Sequence, residues 1–287
     1  MATLSGLTTK LKGSAGDWTF YRRLGSTVAK QKIDRRLSGP ATFAQLANRV
    51  AWANLVSFWS YTDGLLVGAF SRKGKGQTDY NAFMSHNLGV SDVYLTRGMV
   101  RRKACVVAPY CVSYGILPTV ATEVAADGRI VSGILLSDDL GVGDTTTIGD
   151  FSRAVLTHNE GYSHGDIIVA LAVEQTADAL DGTPRAEVSS ALVQLDACSP
   201  TPLSLTGSGA AAFTAIDGRL GASAPLYGGM TWIHLSVAAG TVKVSTQRLT
   251  LTGPPSAPDS LPHLPYTTPE ARQQAIDSYR RDVCDGS

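Results

Sequence analysis

Short apolar runs separated by turn signals fill residues 92–251, and this pattern constrains the fold more than any other feature of the chain. Asp127-Gly128 is a two-residue hairpin signal, and Gly240 separates two further runs. A series of short strands with turn signals between them is typical of an antiparallel β-sandwich. The predicted strands cover residues 93–96, 101–107, 110–114, 119–125, 129–136, 154–157, 166–174, 187–195, 213–216, 231–237 and 241–251.

The N-terminal region begins with hairpin material. Residues 18–23 and 27–33 are short runs that flank a turn at Gly25, which is the pattern of a β-hairpin. Gly39-Pro40 then interrupts the chain and should end this element.

A helix is predicted after this hairpin. Thr42 and Gln45 have the spacing of a capping box, and residues 43–61 contain neither Gly nor Pro. We expect Gly64 to end this helix, and a second short helix to run from residue 78 or 79 to residue 87. The first helix is apolar on most sides, which is typical of a helix buried between layers or between subunits.

The C-terminal region is rich in proline. Six prolines fall within residues 252–269 and predict an extended arm that clasps a neighbouring copy, followed by a helix over residues 269–281. We therefore expect an α+β, mainly β chain with three parts. These are a basic hairpin-helix domain (1–91), an antiparallel β-sandwich domain (92–251), and a Pro-rich arm with a short helix (252–287).

Charge is distributed unevenly along the chain. Residues 1–103 contain 16 Lys and Arg against 5 Asp and Glu, whereas residues 104–287 contain 9 against 19. A net charge of +1 therefore hides a basic first part and an acidic second part. Such asymmetry indicates a charged partner, which could be nucleic acid, an acidic protein surface or the acidic part of a neighbouring copy.

Eleven basic residues are candidates for these contacts. Because the guanidinium fork of Arg matches a carboxylate, we favour ion pairs across subunit interfaces. The alternative is one phosphate-binding face, with Trp18 and Tyr21 available to stack on bases, although no nucleic-acid-binding signature is present. The eleven are Arg22, Arg23, Arg35, Arg36, Arg49, Arg72, Lys73, Lys75, Arg101, Arg102 and Lys103.

No pattern of residues indicates catalysis, and we expect neither an enzyme nor a bound cofactor. His158, Glu160, His164 and Asp166 lie close together in the sequence and could form a metal or acid–base site. Their spacing matches no known ligand pattern, so a polar loop is the favoured interpretation. The acidic residues within 138–144 could bind a cation, but they lack the register of an EF-hand, and a plain loop is again favoured.

The cysteines and the apolar segments indicate a cytoplasmic site of synthesis. The N-terminus lacks the apolar segment of a signal peptide, and no stretch approaches the ~20 apolar residues that span a bilayer. Cys105, Cys111, Cys198 and Cys284 form no C-x-x-C pair, and we expect buried free thiols rather than disulfides. A membrane partner is not expected.

Several short motifs of the chain carry a resemblance to known proteins. The N-terminal motifs are Gly13, Gly16, Tyr21-Arg22-Arg23, Gly25, Pro40, Gln45-Leu46-Ala47-Asn48-Arg49, Asn81, Phe83 and Asn87. The later motifs are the segments 165–170, 231–235 and 244–245. Together they resemble an uncharacterised family of proteins from Bacteroidales bacteria and their phages, and the later segments resemble its β-domain. The family has no established activity, so the resemblance implies no catalytic residues, but its association with phage-like genomes implies a virion component.

We therefore expect a structural or assembly protein of a phage-like virion, either capsid-associated or in the neck or tail. Its partners would be other copies of itself and other virion proteins, in contacts that close into rings where the rotation permits. One alternative is a nucleic-acid-binding protein that uses the basic N-terminal third. A further alternative is a carbohydrate- or surface-binding β-sandwich with Tyr162, Tyr227 or Trp232 at its site.

Overall fold

The computed structural model of this chain describes residues 2–4, 13–23, 26–31, 41–90, 92–137, 140–143, 145–206, 211–238 and 240–280. Within these residues the fold is α+β and mainly β with antiparallel sheets, which confirms the predicted fold class. The helices are α1 (Phe43–Leu66), α2 (Asp79–Asn87), α3 (Arg97–Arg101), α4 (Ile148–His158) and α5 (Pro269–Arg280). The strands are β1 (Ala2–Leu4), β2 (Gly13–Ala15), β3 (Trp18–Arg23), β4 (Ser26–Gln31), β5 (Cys111–Ser113), β6 (Thr122–Val124), β7 (Ile130–Leu135), β8 (Ile167–Ala177), β9 (Pro184–Gln194), β10 (Phe213–Ile216), β11 (Arg219–Ala222), β12 (Gly228–Ala238), β13 (Thr241–Val244), β14 (Gln247–Arg248) and β15 (Thr250–Thr252).

Strands β1–β4 form a four-stranded antiparallel sheet in the order β1-β4-β3-β2. Its central hairpin is the predicted one, since Trp18 of β3 pairs with Gln31 of β4. Val28 and Ala29 are both buried, although neighbouring residues of a strand face opposite sides of a sheet. Both faces of this sheet are therefore covered at that point.

The β-sandwich consists of two packed sheets. One has the order β10-β11-β7-β6, and the other has the order β13-β12-β8-β9 with β15 also paired to β12. A separate two-stranded ribbon joins β5 to β14. Between the two sheets, Trp232 of β12 is fully buried in a hydrophobic cluster that includes Ile130 of β7 and Phe151 of α4.

The five-stranded sheet is buried on both faces. Along β8, Ile168 and Ala170 belong to the cluster that this sheet shares with the four-stranded sheet of the sandwich and with α4. Leu171 and Val173 belong instead to a second cluster, which the sheet shares with α1 and α2. Side chains of a strand alternate with a period of two, so one strand serves both cores. The molecule thus has a helical layer, a central sheet and an outer sheet with α4.

Helix α1 begins at the predicted capping box. The Thr42 hydroxyl accepts a hydrogen bond from the Gln45 N–H, and the Gln45 side chain accepts one from the Thr42 N–H. The helix then continues through Gly64, where the sequence predicted its end, to Leu66. An interior glycine costs about 1 kcal/mol relative to alanine, and the complete burial of Leu66 offsets that cost.

Asn54 ties α1 to the chain beyond residue 92. Its Nδ2 donates to the carbonyl oxygen of Val106 at 2.8 Å, and its Oδ1 accepts from the Val106 N–H at 2.9 Å. The rings of Phe58 and Tyr110 also meet edge to face with centroids 4.9 Å apart. One hydrophobic cluster contains residues from both sides of the predicted boundary at residue 91, so this boundary does not separate two cores.

One predicted strand is helical, and another begins at the last residue of a helix. Residues 154–157 lie in α4, because Thr147 and Asp150 form a capping box that starts a helix ahead of them. Residue 101 ends α3, whose N-cap is Thr96. The capping signals were present in the sequence, and they outweigh the short apolar runs that follow them.

The apolar runs at residues 93–96 and 104–107 belong to no helix or sheet of the described chain. They are nevertheless buried, and other groups take the place of strand partners. The Val107 N–H donates to Gln175 Oε1 at 2.8 Å, and the Cys105 N–H donates to the Pro184 carbonyl at 2.9 Å. A buried apolar run therefore needs partners for its backbone, but these partners need not form a ladder.

The Pro-rich segment 253–268 consists of turns and a short 3₁₀ helix rather than one extended stretch. It lies against its own chain, since the Tyr94 N–H donates to the Tyr266 carbonyl at 2.9 Å. Proline fixes φ near −65°, a value that suits turns as well as the polyproline II conformation. The prolines of this segment therefore do not distinguish a series of turns from an extended polyproline II segment.

Helix α5 begins at Pro269, as predicted, and docks on α1 of the same chain. Ala275 and Ile276 pack against Leu46 and Val50 in a small cluster separate from the two main cores. The segment that was predicted to clasp a neighbouring copy thus packs against its own chain in this structure.

Candidate functional site

A cleft of about 350 Å³ lies where β7, β12 and the segment after α4 meet. Its volume is within the range of about 300–1,000 Å³ that is typical of small-molecule sites. Most of its wall is apolar, and a few side chains with polar groups reach it. The lining residues are Pro118, Thr119, Val120, Ala121, Gly133, Ile134, His158, Asn159, Glu160, Gly161, Tyr162 and His234.

A buried His–Asp pair lies at this cleft. Nε2 of His234 is 2.9 Å from Oδ2 of Asp166, and the two residues are 3% and 4% exposed. The same carboxylate oxygen accepts a hydrogen bond from the Ser163 N–H at 2.9 Å. Because a carboxylate only accepts hydrogen bonds, Nε2 supplies the proton of the shared bond. Nδ1 is then the ring nitrogen that does not take part in this bond.

Strand register explains how two residues distant in sequence meet. His234 pairs with Ile168, and Asp166 lies just before the start of β8. His234 also shares a strand face with Trp232, two residues earlier, and that face is turned toward the core between the sheets. A histidine in such a position needs a polar partner, and Asp166 provides it.

Tyr162 completes the group, which we call the His234 triad (Tyr162, Asp166 and His234). The ring of Tyr162 stacks on the imidazole of His234, with centroids 4.2 Å apart and an angle of 23° between the planes. Burial, with a smaller contribution from the charge of Asp166, raises the pKa of Tyr162 to about 12. The phenol therefore stays protonated near neutral pH.

The structure separates the four residues that lie together in the sequence. His158 and Glu160 line the rim of the cleft and are exposed, whereas Asp166 is buried against His234 and the exposed His164 is not among the lining residues. In the part of the chain that the structure describes, no group of three or more His, Cys, Asp or Glu residues could hold a metal ion. The acidic residues Asp138, Asp139 and Asp144 lie outside the described residues.

Of the eleven basic candidates, four lie near the N-terminus. Arg22 and Arg23 are on β3, opposite Thr27 and Ser26 of β4. The other two candidates, Arg35 and Arg36, lie outside the described residues.

The next candidates lie at opposite ends of α1. Arg49 is exposed in the second turn of the helix, while Arg72, Lys73 and Lys75 are in the exposed loop after it, where Lys73 forms an ion pair with Asp79. At a rise of 1.5 Å per residue, about 25 Å of helix separates Arg49 from that loop. These basic groups therefore do not share one compact patch.

The last three candidates surround the end of α3. Nε of Arg102 lies 3.2 Å from Oδ2 of Asp181, so this arginine already has an acidic partner in its own chain. The Lys103 carbonyl accepts hydrogen bonds from the Tyr61 hydroxyl and from Nη1 of Arg185. Arg101 is exposed beside them.

A second concave surface, the α1 groove, runs beside these residues. Its cavity measures about 460 Å³, and its wall is largely apolar. Trp52 and Val56 of α1 are 39% and 42% exposed there. The groove is lined by Asn48, Arg49, Trp52, Ala53, Val56, Ser57, Val100 and Tyr279.

Leu180 projects from the loop between β8 and β9, and the ion pair of Arg102 with Asp181 joins this loop to the end of α3. Leu180 is 97% exposed, although the loop that carries it is held firmly. The Leu180 N–H donates to Oδ1 of Asp178 at 3.0 Å, and the Thr183 N–H donates to Oδ1 of Asp181 at 2.9 Å. Asp178 is also bound by Arg185. The chain therefore presents an apolar side chain to solvent on a preorganised support.

Trp232 does not lie at an open sugar-binding surface, which corrects one of the predicted aromatic positions. It is fully buried, and its Nε1 has no hydrogen-bond partner among the described residues. Tyr227 is partly buried and does not line the cleft, whereas Tyr162 does.

The cysteines match the prediction in part. Cys105 and Cys111 are buried free thiols, and burial raises the pKa of both. Cys198 is free but exposed, and Cys284 lies outside the described residues. The described helices are all too short or too polar to cross a membrane.

Comparison of the chain with protein-family models, with curated proteins and with solved structures finds no match.

His234 and Leu180 are the residues that sequence reasoning missed. No spacing rule connects His234 to Asp166, but the alternation around Trp232 could have indicated that His234 faces inward and needs a partner. Leu180 lies between acidic residues in a loop, where a single apolar residue carries no signal until its exposure is known.

Proposed function

We propose that this protein is an assembly protein that works through contacts between its own copies, as a component of a phage-like particle. The observation that carries the proposal is an apolar groove that contains Trp52, together with an exposed apolar knob, Leu180. The loop of the knob is joined by an ion pair to the end of α3, and this region also lines the groove. Contiguous exposed apolar patches commonly mark protein interfaces.

Chain geometry supports placing knob and groove on one face. Asp181 follows Leu180 and is held by Arg102, and Arg102 lies two residues after Val100, which lines the groove. A patch that contains both a projection and a complementary depression is self-complementary. A two-fold axis through it would seat each Leu180 in the partner's groove and give an isologous dimer.

Charge favours a second copy as the occupant. The groove has a basic neighbour in Arg49, while Leu180 is preceded by Asp178 and followed by Asp181. When the knob enters the groove of another copy, Asp178 and Asp181 approach Arg49 of that copy while each keeps an arginine of its own chain as a partner. Complementary charges of this kind fix the register of an interface more than they increase its affinity.

The preorganised loop supports the same conclusion. A flexible loop would lose conformational entropy on docking, about 1–2 kcal/mol for each ordered residue. The hydrogen bonds of Asp178 and Asp181 already restrict the loop, so that cost is small here.

Light scattering coupled to size-exclusion chromatography tests this function on the full chain over a range of protein concentrations. We expect a concentration-dependent dimer or a higher oligomer built from dimers. Leu180→Asp should weaken self-association about tenfold or more, because a buried leucine contributes about 1.5–3 kcal/mol. Leu88→Asp, at another exposed leucine outside the groove, is the matched control.

Two results would overturn the proposal. One is a monomer at every concentration, and the other is an oligomer that Leu180→Asp leaves unchanged while Leu88→Asp weakens it. A monomer that binds nucleic acid only at low salt would favour instead the basic N-terminal third as the functional surface, since counterion release makes such binding strongly dependent on salt.

A further inference from the structure

The His234 triad marks a second place at which this chain could act, independent of any contact between copies. A His–Asp pair that served only to join two segments would be enclosed by protein. Here the ring of His234 lines a cleft of about 350 Å³, although the residue is almost completely buried. The side chain is thus held by its partners at the wall of a space that can hold a small molecule.

The orientation of the imidazole is fixed from two sides. Asp166 binds Nε2, and the ring of Tyr162 stacks on one face of the imidazole. Asp166 is in turn fixed by the Ser163 N–H. A polar group whose partners hold it in one orientation is a feature of preorganised binding sites, because little entropy is lost when a ligand arrives.

The cleft offers both hydrogen-bond acceptors and donors. When the His234 ring is neutral and donates from Nε2 to Asp166, its Nδ1 is an acceptor. Glu160 adds carboxylate oxygens at the rim, while Thr119 adds a hydroxyl and His158 an imidazole, each of which can donate or accept. A ligand hydroxyl suits these groups, because it also donates and accepts.

Charge excludes one class of ligand. Neither Lys nor Arg is among the described residues that line the cleft, and Glu160 is acidic. Phosphates, nucleotides and carboxylates would therefore meet no fixed positive charge there, which argues against an anionic ligand. An uncharged ligand loses less hydration on entering a cleft with this composition.

The apolar wall determines the rest of the ligand. Val120 and Ile134 present hydrocarbon, and Gly133 leaves a flat stretch of β7. A Cβ at position 133 would lie 3.2 Å from the Cβ of Ala121. The absence of a side chain at Gly133 avoids this close contact and keeps the wall flat. An apolar wall opposite hydrogen-bonding groups fits a ring with hydroxyls on its edge and C–H groups on its face.

We propose that the cleft beside His234 binds a small, uncharged, hydroxyl-bearing ligand, with a single sugar ring as the chemical class. His234 accepts a hydrogen bond from a ligand hydroxyl through Nδ1, Glu160 accepts a second, and the wall of Val120, Gly133 and Ile134 packs against the face of the ring. The cleft is large enough for one or two rings.

Saturation-transfer NMR on the full chain tests this site with a panel of probes: the methyl glycosides of glucose, galactose, mannose and N-acetylglucosamine. We expect at least one glycoside to receive saturation and to shift the imidazole resonances of His234. Replacement of the exposed Thr119 by tryptophan fills the mouth of the cleft without touching the His234 triad, and Thr119→Trp should reduce affinity at least tenfold. Thr241→Trp, at an exposed position on β13, is the matched control and should leave binding unchanged.

His234→Gln is a second variant, and it keeps a polar side chain at position 234 in the wall of the cleft. Binding should fall by tenfold or more in this variant, provided that its circular dichroism matches the wild type. The proposal is overturned if no glycoside of the panel binds, if binding survives both Thr119→Trp and His234→Gln in folded protein, or if inorganic phosphate binds in the cleft more tightly than the glycosides.

Discussion

Nε of Arg102 lies 3.2 Å from Oδ2 of Asp181, and this ion pair joins the end of α3 to the loop that carries Leu180. Both side chains are partly exposed, so the pair adds little to overall stability. Its consequence is positional, because it joins the loop of Leu180 to α3, the helix that supplies Val100 to the groove. The proposed interface therefore depends on an ion pair within each chain as well as on contacts between chains.

Removal of this ion pair should loosen the loop without unfolding the protein. We expect Arg102→Ala to change the free energy of unfolding by less than about 1 kcal/mol and to weaken self-association about two- to fivefold. The effect should shrink at high salt, where the pair in the wild type is already screened. Analytical ultracentrifugation at two salt concentrations measures it. Equal association of the variant and the wild type at low salt would show that the ion pair does not position Leu180.

Asn54 should be a residue on which the helical layer depends. Asn54→Ala leaves the buried N–H and carbonyl groups of Val106 without their side-chain partner, and each unsatisfied group costs about 1–3 kcal/mol. We therefore expect a loss of about 2–5 kcal/mol in the free energy of unfolding, measured by urea denaturation. Ser60→Ala, on the exposed side of the same helix and outside the lining of the α1 groove, should change it by less than about 0.5 kcal/mol. Similar losses in the two variants would contradict the assigned role of Asn54.

The docking of α5 within one chain predicts how a destabilising substitution in α5 behaves at different protein concentrations. Ile276→Ala removes most of a fully buried side chain from a small cluster, and the expected cost is about 2–3 kcal/mol, since the peripheral site can partly collapse. Because the contact is internal, the loss should be the same at every protein concentration. Gln274→Ala, on the exposed face of α5, is the control. A loss that depends on concentration would mean that α5 docks on a neighbouring copy, as the sequence suggested.

The raised pKa of Tyr162 predicts how the stability of the protein changes at alkaline pH. Its pKa is raised to about 12 in the folded protein, while an unfolded tyrosine ionises near 10. Between these values the unfolded chain binds fewer protons than the folded chain, so stability falls as pH rises through this window. The ultraviolet absorbance of ionised tyrosine, compared between wild type and Tyr162→Phe, should reveal one phenol that titrates near 12. If the two proteins differ instead by a phenol that titrates near 10, Tyr162 is not buried against His234.

The sequence predicts elements whose signals are local. The capping box of Thr42 and Gln45 gives the start of α1, and the runs on either side of Gly25 predict the hairpin of β3 and β4. The same logic predicts Asp127-Gly128 as a turn, where Gly128 has a φ of +81°. Chemistry that lies within a few residues can be recognised without a structure.

The sequence does not predict relationships that depend on register and packing. His234 meets Asp166 only because β12 pairs with β8 in one particular register. Among the described residues, the groove at Trp52 lies between α1, α3 and α5, and no periodicity in the chain indicates where three helices leave a depression. Both candidate sites are therefore properties of the tertiary structure.

Photo-crosslinking from position 180 is the most direct test of the central claim, that Leu180 of one copy enters the α1 groove of another. A benzophenone amino acid replaces Leu180, light- and heavy-isotope chains are mixed, and the crosslinked dimer is digested and analysed by mass spectrometry. We predict mixed-isotope crosslinks from residue 180 to the peptide that contains Trp52 and Val56. A dimer whose crosslinks all lie elsewhere, or the absence of any crosslinked dimer, would contradict the claim.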